Sequence, residues 1–353
     1  MADELAIGYL KRTALIAAIK NESQFNRSRP ISKMFTRQGH GAEQVEVRVQ
    51  TRYSDQVRHT VMDGEGVPIK SGTFKVRQYS PAWMKVFAEL TQKDATMFAK
   101  AEEIAQARDS GGQAVIDRAN ERIRELGADI DANLGTERER LCVSALKGTL
   151  TATLQDGNTE SVSYGLTALT APSTKWDNAA ATIQQDFYTA IDEYKANNPL
   201  GLPPTHFAYH PKLWKESFAK NTEWKDFRKS SPALAEAFLR FVTGANKIEA
   251  TVEGYMDPIF GLTPVPIDGT YRNLSDVITN YWDYKDITLF RMDETMFEWG
   301  MTYGHRYNPR PDVNVAFEMP TRPDVQVWKV HGMDNGLPII KRPELVQTWR
   351  VIT

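Results

Sequence analysis

The chain has 353 residues, of which 41% are hydrophobic and 25% charged, the composition of an ordinary globular protein. Its net charge of −2 and pI near 6.3 provide no overall basic field that would draw it onto nucleic acid. The single cysteine, Cys142, excludes an intramolecular disulfide framework and favours a reducing compartment. The length predicts about two domains, and the apolar run at residues 14–19 is too short to span a bilayer, so we expect synthesis in the cytoplasm.

Residues 1–43 combine a weakly amphipathic segment with a polar stretch, which predicts an N-terminal arm that needs a partner surface. Valines then alternate with polar residues over residues 44–53, and a second extended run follows at 73–79 after a polar, glycine-rich tip. The two runs predict a long β-hairpin within an extended loop of residues 44–85. A two-stranded ribbon is barely stable alone and has unpaired edges, so we expect it to lie on another surface.

From Asp94 the apolar periodicity is helical, with a break at residues 109–112. Apolar residues then mark one helix face over about nine turns: Val115, Ala119, Ile123, Leu126, Ile130, Leu134, Leu141 and Ala145. The pattern predicts a helix over about residues 113–147, on the order of 50 Å long. Because this exceeds the diameter of a small domain, we expect the helix to be a backbone shared between subdomains.

The C-terminal half mixes helical and extended patterns. Residues 148–175 are polar and predict a loop or irregular strands. Helical faces follow at residues 180–194, at 212–227 and from Pro232 onward. Alternating stretches occur at residues 276–281, 286–292, 313–318, 324–330 and 345–352. Together they predict an α+β body with largely antiparallel sheets.

Two histidines four residues apart, His206 and His210, have the spacing of a metal-binding pair on a helix. Prolines at positions 203, 204 and 211 bracket them and forbid a helix across both, so the segment predicts a short strand. Four strand steps separate the imidazoles by roughly 13 Å, too far for one metal ion. We therefore predict no metal site here.

Other motifs that suggest catalysis also have structural explanations. The tetrapeptide Asp109-Ser110-Gly111-Gly112 resembles the nucleophile loop of trypsin-like proteases, but it lies between two helical patterns and is typical of a helix break. Cys142 lies on or beside the apolar face of the long helix and predicts a small buried thiol. The charge run at residues 137–140 predicts a solvated helix face or subunit-contact charges. We predict no catalytic residue and no cofactor.

Two stretches carry a resemblance to a known family. VSALKG (residues 143–148), followed by TLTATLQDG, and THFAYHPKLWKESFAK (residues 205–220) resemble stretches of the phage lambda capsid protein E family. That family belongs to the HK ninety-seven fold of tailed-bacteriophage major capsid proteins, and the order of arm, ribbon, long helix and α+β body is similar. The resemblance implies five regions: an N-terminal arm (1–43), an extended loop (44–85), a peripheral domain with the spine helix (86–150), an axial domain (151–310) and C-terminal strands returning to the peripheral domain (311–353).

The resemblance implies a structural protein of the virion that self-assembles into hexamers and pentamers of an icosahedral head around double-stranded DNA. It also implies a separate scaffolding protein, a portal and a possible decoration protein as partners, weak non-specific contact with the DNA, and no membrane. Loop residues with both signs of charge suit contacts between subunits: Arg52, Tyr53, Arg58, His59, Asp63, Glu65 and Lys70.

Other protein classes remain as alternatives. An encapsulin, the shell protein of a bacterial nanocompartment, has the same fold, although the polar arm of this chain does not favour it. An oligomeric hydrolase or transferase would use Asp109, Ser110 or His206. A phage tail-tube or portal component is a further alternative, which the order of ribbon and helix disfavours.

Overall fold

The computed structural model describes most of the chain. The described residues are 30–39, 45–50, 74–79, 84–89, 92–107, 112–153, 159–217, 220–223, 225–226, 261–273, 275–292, 297–301, 314–318, 329–334 and 336–353. The helices that carry the description below are α1 (Pro30–Met34), α2 (Gln92–Ala107), α3 (Gln113–Leu146), α4 (Ile183–Asn197) and α5 (Pro211–Ser217). Among the described residues, none of the helices combines the length and apolar character that crossing a membrane requires.

The strands form several small sheets. Their bounds are β1 (Thr36–Gly39), β2 (Val45–Gln50), β3 (Phe74–Tyr79), β4 (Met84–Glu89), β5 (Thr149–Thr153), β6 (Thr159–Ser163), β7 (Thr167–Ala168), β8 (His206–Tyr209), β9 (Thr263–Pro266), β10 (Thr270–Arg272), β11 (Ile278–Asn280), β12 (Asp286–Phe290), β13 (Phe297–Met301), β14 (Asn314–Glu318), β15 (Lys329–Asp334), β16 (Gly336–Ile340) and β17 (Val346–Arg350). The larger sheets have strand orders β7-β17-β12-β8-β9, β1-β13-β16 and β14-β15-β4. The strands β2 and β3, β5 and β6, and β10 and β11 form separate pairs.

The element predictions agree with this architecture in their main features. Helix α3 ends within a residue of its predicted bound and has 34 residues, so it is roughly 50 Å long. Helix α2 ends at Ala107 and α3 begins at Gln113, and residues 108–111, where most of the predicted break falls, lie outside the described residues. Residues 148–175, predicted as a loop or irregular strands, contain the regular antiparallel hairpin of β5 and β6. The helix predicted from Pro232 lies outside the described residues.

Helix α3 contributes to two hydrophobic cores. Toward its N-terminal half, Leu126, Ile130 and Leu134 pack with Ala101 of α2 and with the inner face of β4. Toward its C-terminal end, residues 141–146 pack with α1, with the β1-β13-β16 sheet and with one face of the five-stranded sheet. The helix is therefore shared between two hydrophobic cores, and its role between subdomains remains a prediction.

Strand β15 approaches the spine helix α3 closely at one glycine. A Cβ atom on Gly332 would lie 2.1 Å from Cγ2 of Ile130 and 3.1 Å from Cδ1 of Leu134. These distances are too short for a side chain, so the sheet reaches the helix only because position 332 has none. The close approach fixes where β14, β15 and β4 cross the helix.

A buried carboxylate of α3 attaches the N-terminal segment to the spine. Glu139 is 1% exposed, and its two oxygens accept the backbone N–H groups of Ile31 at 3.1 Å and Ser32 at 2.7 Å. These N–H groups belong to the first turn of α1, where no helical acceptor exists for them. Ile31 and Phe35 then bury their side chains in the core beneath, and β1 pairs in parallel with β13.

The neighbouring charge Arg138 pairs with the far end of the chain. Its guanidinium donates to Asp334 of β15, with an Nε–Oδ2 distance of 3.1 Å, and its Cζ lies 5.5 Å from the Trp299 ring centroid. Asp334 is almost fully buried. The prediction of a solvated face for residues 137–140 is therefore wrong for Glu139 and Arg138, because both point into the protein and have partners distant in sequence.

The five-stranded sheet lies between the end of α3 and the pair α4 and α5. Side chains alternate along β8, so Phe207 and Tyr209 face α4 and α5 while Ala208 faces the spine. The α4 side is an aromatic cluster in which Trp176, Phe187, Trp214 and Trp349 contact one another at centroid distances of 5.1–6.3 Å. This packing makes the sheet a rigid central layer.

The C-terminal strands divide among three sheets, and β16 pairs with β13 in the β1-β13-β16 sheet. Of the predicted returning segment 311–353, β14 and β15 form a sheet with β4. Strand β17 pairs instead with β12 and β7 in the five-stranded sheet. Parallel pairs occur beside the antiparallel ones, at β1–β13, β7–β17 and β8–β9.

We expect Glu139→Ala to destabilise the subunit by about 1–3 kcal/mol, because it leaves the buried N–H groups of Ile31 and Ser32 without their acceptor. Urea unfolding of unassembled subunits measures the change. Glu137→Ala is the matched control, since Glu137 lies on the same helix with a partly exposed ion pair to Arg140, and its loss should cost about 0.2–1 kcal/mol. Equal losses in the two variants would contradict the attachment role of Glu139.

We expect the thiol of Cys142 to be unreactive in the folded chain. The side chain is fully buried, and desolvation, followed by the charge of Glu139, raises its pKa well above the usual range, so the nucleophilic thiolate is disfavoured. Titration with Ellman's reagent should detect no thiol at neutral or mildly alkaline pH. It should detect one thiol per chain in concentrated guanidinium chloride. Rapid labelling of the native chain would disprove the burial.

Candidate subunit-contact surfaces

The seven contact residues predicted from sequence all fall within residues 51–73, outside the described residues: Arg52, Tyr53, Arg58, His59, Asp63, Glu65 and Lys70. The strands that flank them are described. Strands β2 and β3 pair antiparallel, from Val45 opposite Tyr79 to Gln50 opposite Phe74. The predicted pairing of the two runs is confirmed for these strands, and the residues that flank segment 51–73, Gln50 and Phe74, lie opposite each other. The contact role of the seven residues remains a prediction.

The β2–β3 ribbon is a sheet of its own. Within the part of the chain that the structure describes, neither strand pairs with a third strand. Six residues per strand give a ribbon of roughly 20 Å. Among the described strands, both of its edges are without a further partner, and such edges are templates for pairing with another strand. The ribbon is therefore a candidate surface for contact with another molecule.

A second hairpin, formed by β10 and β11, is anchored to the spine helix α3. The hydroxyl of Tyr281, directly after β11, donates to the carbonyl of Thr136 at 3.1 Å. Nζ of Lys147, just after the end of α3, donates to the carbonyl of Tyr281 at 2.6 Å. The Tyr281 ring stacks on Tyr271 of β10 with a centroid distance of 5.2 Å. Burial lowers the pKa of Lys147. Two attachment points to one helix hold the base of the hairpin in place.

The tip of this second hairpin is locked by local hydrogen bonds. Oδ1 of Asn273 accepts the N–H groups of Ser275 at 3.0 Å and Val277 at 2.9 Å, and Asn273 N–H donates to the carbonyl of Val277. Asp276 adopts a positive φ of 60°, a conformation that Asp tolerates, and its carboxylate pairs with Arg272 at 2.9 Å. These hydrogen bonds constrain the described residues of the tip.

The outer face of the second hairpin is exposed. Opposite residues in an antiparallel pair share a face, so Ile278 lies beside Arg272, and Thr270 beside Asn280, all four exposed. Ile278 is 67% exposed and Val277 at the tip is 56% exposed. The sequence predicted a strand at residues 276–281 but not this surface. The turn-forming run Asn273 to Asp276 between two alternating stretches is the signal that identifies a hairpin here.

The two histidines have structural roles in the described fold. His206 begins β8, its Nδ1 lies 2.8 Å from Oγ1 of Thr205, and its ring stacks on Phe290. His210 immediately precedes α5, and its Nδ1 accepts the N–H of Lys212 at 3.0 Å, as the cap of a proline-opened helix does. Burial lowers the pKa of both imidazoles, which favours their neutral forms. The predicted strand across this segment is confirmed.

Within the described residues, the other candidate catalytic residues do not form a common site. Asp109 and Ser110 lie outside the described residues, and Cys142 is enclosed by the core. An open depression of about 670 Å³ on the surface does not include His206. Its lining is mostly polar: Ser173, Thr174, Lys175, Asp177, Asn178, Ala179 and Thr353.

Comparison with known proteins identifies the family. A family model described as phage major capsid protein E matches residues 11–351. A search of curated protein sequences finds no match. Among solved structures, a protein assigned as the capsid protein of an Escherichia coli CFT073 prophage superposes with a TM-score of 0.54 at 12% identity, over 96% of this chain and 98% of that chain.

Two further structures are similar with lower scores. A phage-related protein from Bordetella bronchiseptica RB50 gives a TM-score of 0.49 at 12% identity, over 94% of this chain and 95% of that chain. The SrpI encapsulin of Synechococcus elongatus PCC 7942 gives 0.46 at 10% identity, over 92% and 88%. At identities this low the similarity shows the fold alone, and the superposition on the prophage protein is the one that supports it. The fold is thus the HK ninety-seven-like capsid fold, in which helices and strands are mixed as predicted.

The family model covers nearly all of the chain, and the spine helix, the β2–β3 ribbon and the sheet architecture agree with a capsid fold. The chain therefore belongs to the phage major capsid protein E family and is a structural capsid subunit.

Proposed function

We propose that this chain is the major capsid subunit whose hexamers and pentamers build an icosahedral phage head around double-stranded DNA. The match of the capsid family model to residues 11–351 carries the proposal. In the proposed assembly the chain works without catalysis, metal or cofactor, is made in the host cytoplasm and resides in the virion. A scaffolding protein, a portal and possibly a decoration protein are its partners, and its contact with DNA is non-specific.

The proposed division of the chain follows the order of its elements. It comprises an arm (1–43), an extended loop (44–85), a peripheral domain with α3 (86–150), an axial domain (151–310) and returning strands (311–353). The sheet in which β14 pairs with β15 and β15 pairs with β4 supports the return to the peripheral domain. The pairing of β17 with β12 adds that the last strand belongs to the five-stranded sheet.

The proposed assembly places the β2–β3 ribbon and segment 51–73 on a neighbouring subunit. The separate sheet of β2 and β3 supports this placement, because an isolated two-stranded ribbon gains stability only when another surface covers it. The proposed contact residues in the segment are Arg52, Tyr53, Arg58, His59, Asp63, Glu65 and Lys70. Such contacts between different patches close into rings, from which shells are built.

Negative-stain electron microscopy of the purified chain, alone and co-expressed with a phage scaffolding protein, tests the proposal. We expect closed shells, tubes or capsomer rings. A monomer that forms none of these under either condition would refute it. Shells that enclose a cellular cargo protein instead of requiring phage partners would favour the encapsulin alternative.

We expect the replacement of residues 51–73 by Asn-Gly to abolish shell formation while the subunit stays folded. Gln50 and Phe74 are directly opposite, so a two-residue turn can close the hairpin in register. Light scattering measures assembly, and urea unfolding measures stability, which should change by less than about 0.5 kcal/mol.

The β5–β6 hairpin offers a matched control for this loop replacement. Thr153 lies opposite Thr159, so residues 154–158 can be replaced by Asn-Gly with the same geometry. The control shows whether shortening a hairpin by itself harms the subunit. Normal shells from the variant that lacks residues 51–73 would remove that segment from the proposed contact.

A further inference from the structure

The outer face of the β10–β11 hairpin combines apolar exposure with rigidity. Val277 and Ile278 are the two most exposed large aliphatic side chains among the described residues. They are adjacent in sequence, at the end of a tip that three hydrogen bonds to Asn273 lock. A rigid apolar projection loses little conformational entropy when a partner covers it, which favours binding.

Within the described residues, no other part of the chain covers this face. Tyr271, on the inner face, stacks on Tyr281, whose hydroxyl is fixed to Thr136 of the spine, so the hairpin cannot turn over without breaking that contact. Within the described residues, β10 and β11 pair only with each other. The outer face, with Thr270, Arg272, Ile278 and Asn280, therefore faces away from the described part of the molecule.

The charge of this face selects the class of partner. Arg272 and Asp276 neutralise each other at 2.9 Å, so the face offers no net positive charge for a phosphate backbone. The face combines two exposed aliphatic side chains, an ion pair without net charge and strand edges that pair with no third strand among the described residues. These features are typical of protein–protein contacts. The protein present at the highest local concentration around a capsid-family subunit is another copy of the same chain.

We propose that the outer face of the β10–β11 hairpin, centred on Val277 and Ile278, is a contact between copies of this chain in the assembled shell. The inference rests on the proposed function. It adds a second contact surface, independent of the β2–β3 ribbon and segment 51–73. The spine helix connects the surface to both hydrophobic cores, because the hairpin is fixed to Thr136 and Lys147 of the α3 region.

Site-specific photo-crosslinking tests the contact directly. The native cysteine Cys142 is buried, so in Ile278→Cys the introduced thiol is the one that accepts benzophenone maleimide. Particles are assembled from a mixture of isotope-labelled and unlabelled copies and then irradiated. We expect crosslinked peptides that join position 278 of one copy to a different copy. The wild-type chain, treated identically, should give no crosslink.

A substitution test provides a second readout. Val277→Thr with Ile278→Thr keeps the β-branched shape of both side chains while making the surface polar. We expect the double variant to need about a tenfold higher concentration to assemble, equivalent to about 1.4 kcal/mol. Met292→Thr is the control, since Met292 is an exposed apolar residue outside the hairpin.

The outcomes separate this inference from the proposed function. If the wild-type chain forms no particles, the proposed function fails and the inference fails with it. If particles form but position 278 crosslinks only within its own copy, the inference alone is overturned. The inference is also overturned if Met292→Thr shifts the assembly concentration as much as the hairpin variant does.

Discussion

Two hydrophobic cores share one rigid helix, and the rest of the described structure depends on that arrangement. Leu126, Ile130 and Leu134 belong to one core, and residues 141–146 of the same helix belong to the other. An α-helix of 34 residues resists bending, because a sharp kink requires a break in its hydrogen-bond ladder. The separation and rotation of the two cores are therefore set by α3, and each copy of the chain presents its surfaces in the same relative positions.

Buried charges on this helix determine which distant segments dock against it. The oxygens of Glu139 accept N–H groups of α1, and Arg138 holds Asp334 of β15. A buried charge without a partner would cost several kcal/mol, so each of these side chains requires a specific segment beside it. The apolar contacts of Ile31 and the close approach at Gly332 favour the same docking of these segments. They do not require a partner of a particular charge. The spine therefore specifies the attachment of both the N-terminal segment and a C-terminal strand.

Local patterns predicted much of the fold, and contacts between distant residues account for what they missed. The apolar period of 3.6 residues was sufficient to predict helix α3. Pro211 was sufficient to predict that β8 ends before α5 begins. Glu139 was misjudged because its partner lies 108 residues earlier, where no local pattern can show it. The sequence correctly placed Ile278 on a strand. Alternation of apolar and polar residues usually means that the apolar side chains are buried, but the side chain of Ile278 is exposed. The charged segment 51–73 remains predicted from composition and family order alone.

The pair of Arg138 and Asp334 also has a consequence for biosynthesis. The two residues are 196 positions apart, so a ribosome must add that many residues after Arg138 before its counter-charge exists. During this interval the newly made helix α3 carries the unneutralised guanidinium of Arg138 and lacks strand β15, which covers Ile130 in the folded chain. Native pairing over such a separation is slow to form and comes late in folding. In an unfinished chain the spine helix is therefore complete in sequence but still lacks the strand that covers Ile130 and neutralises Arg138.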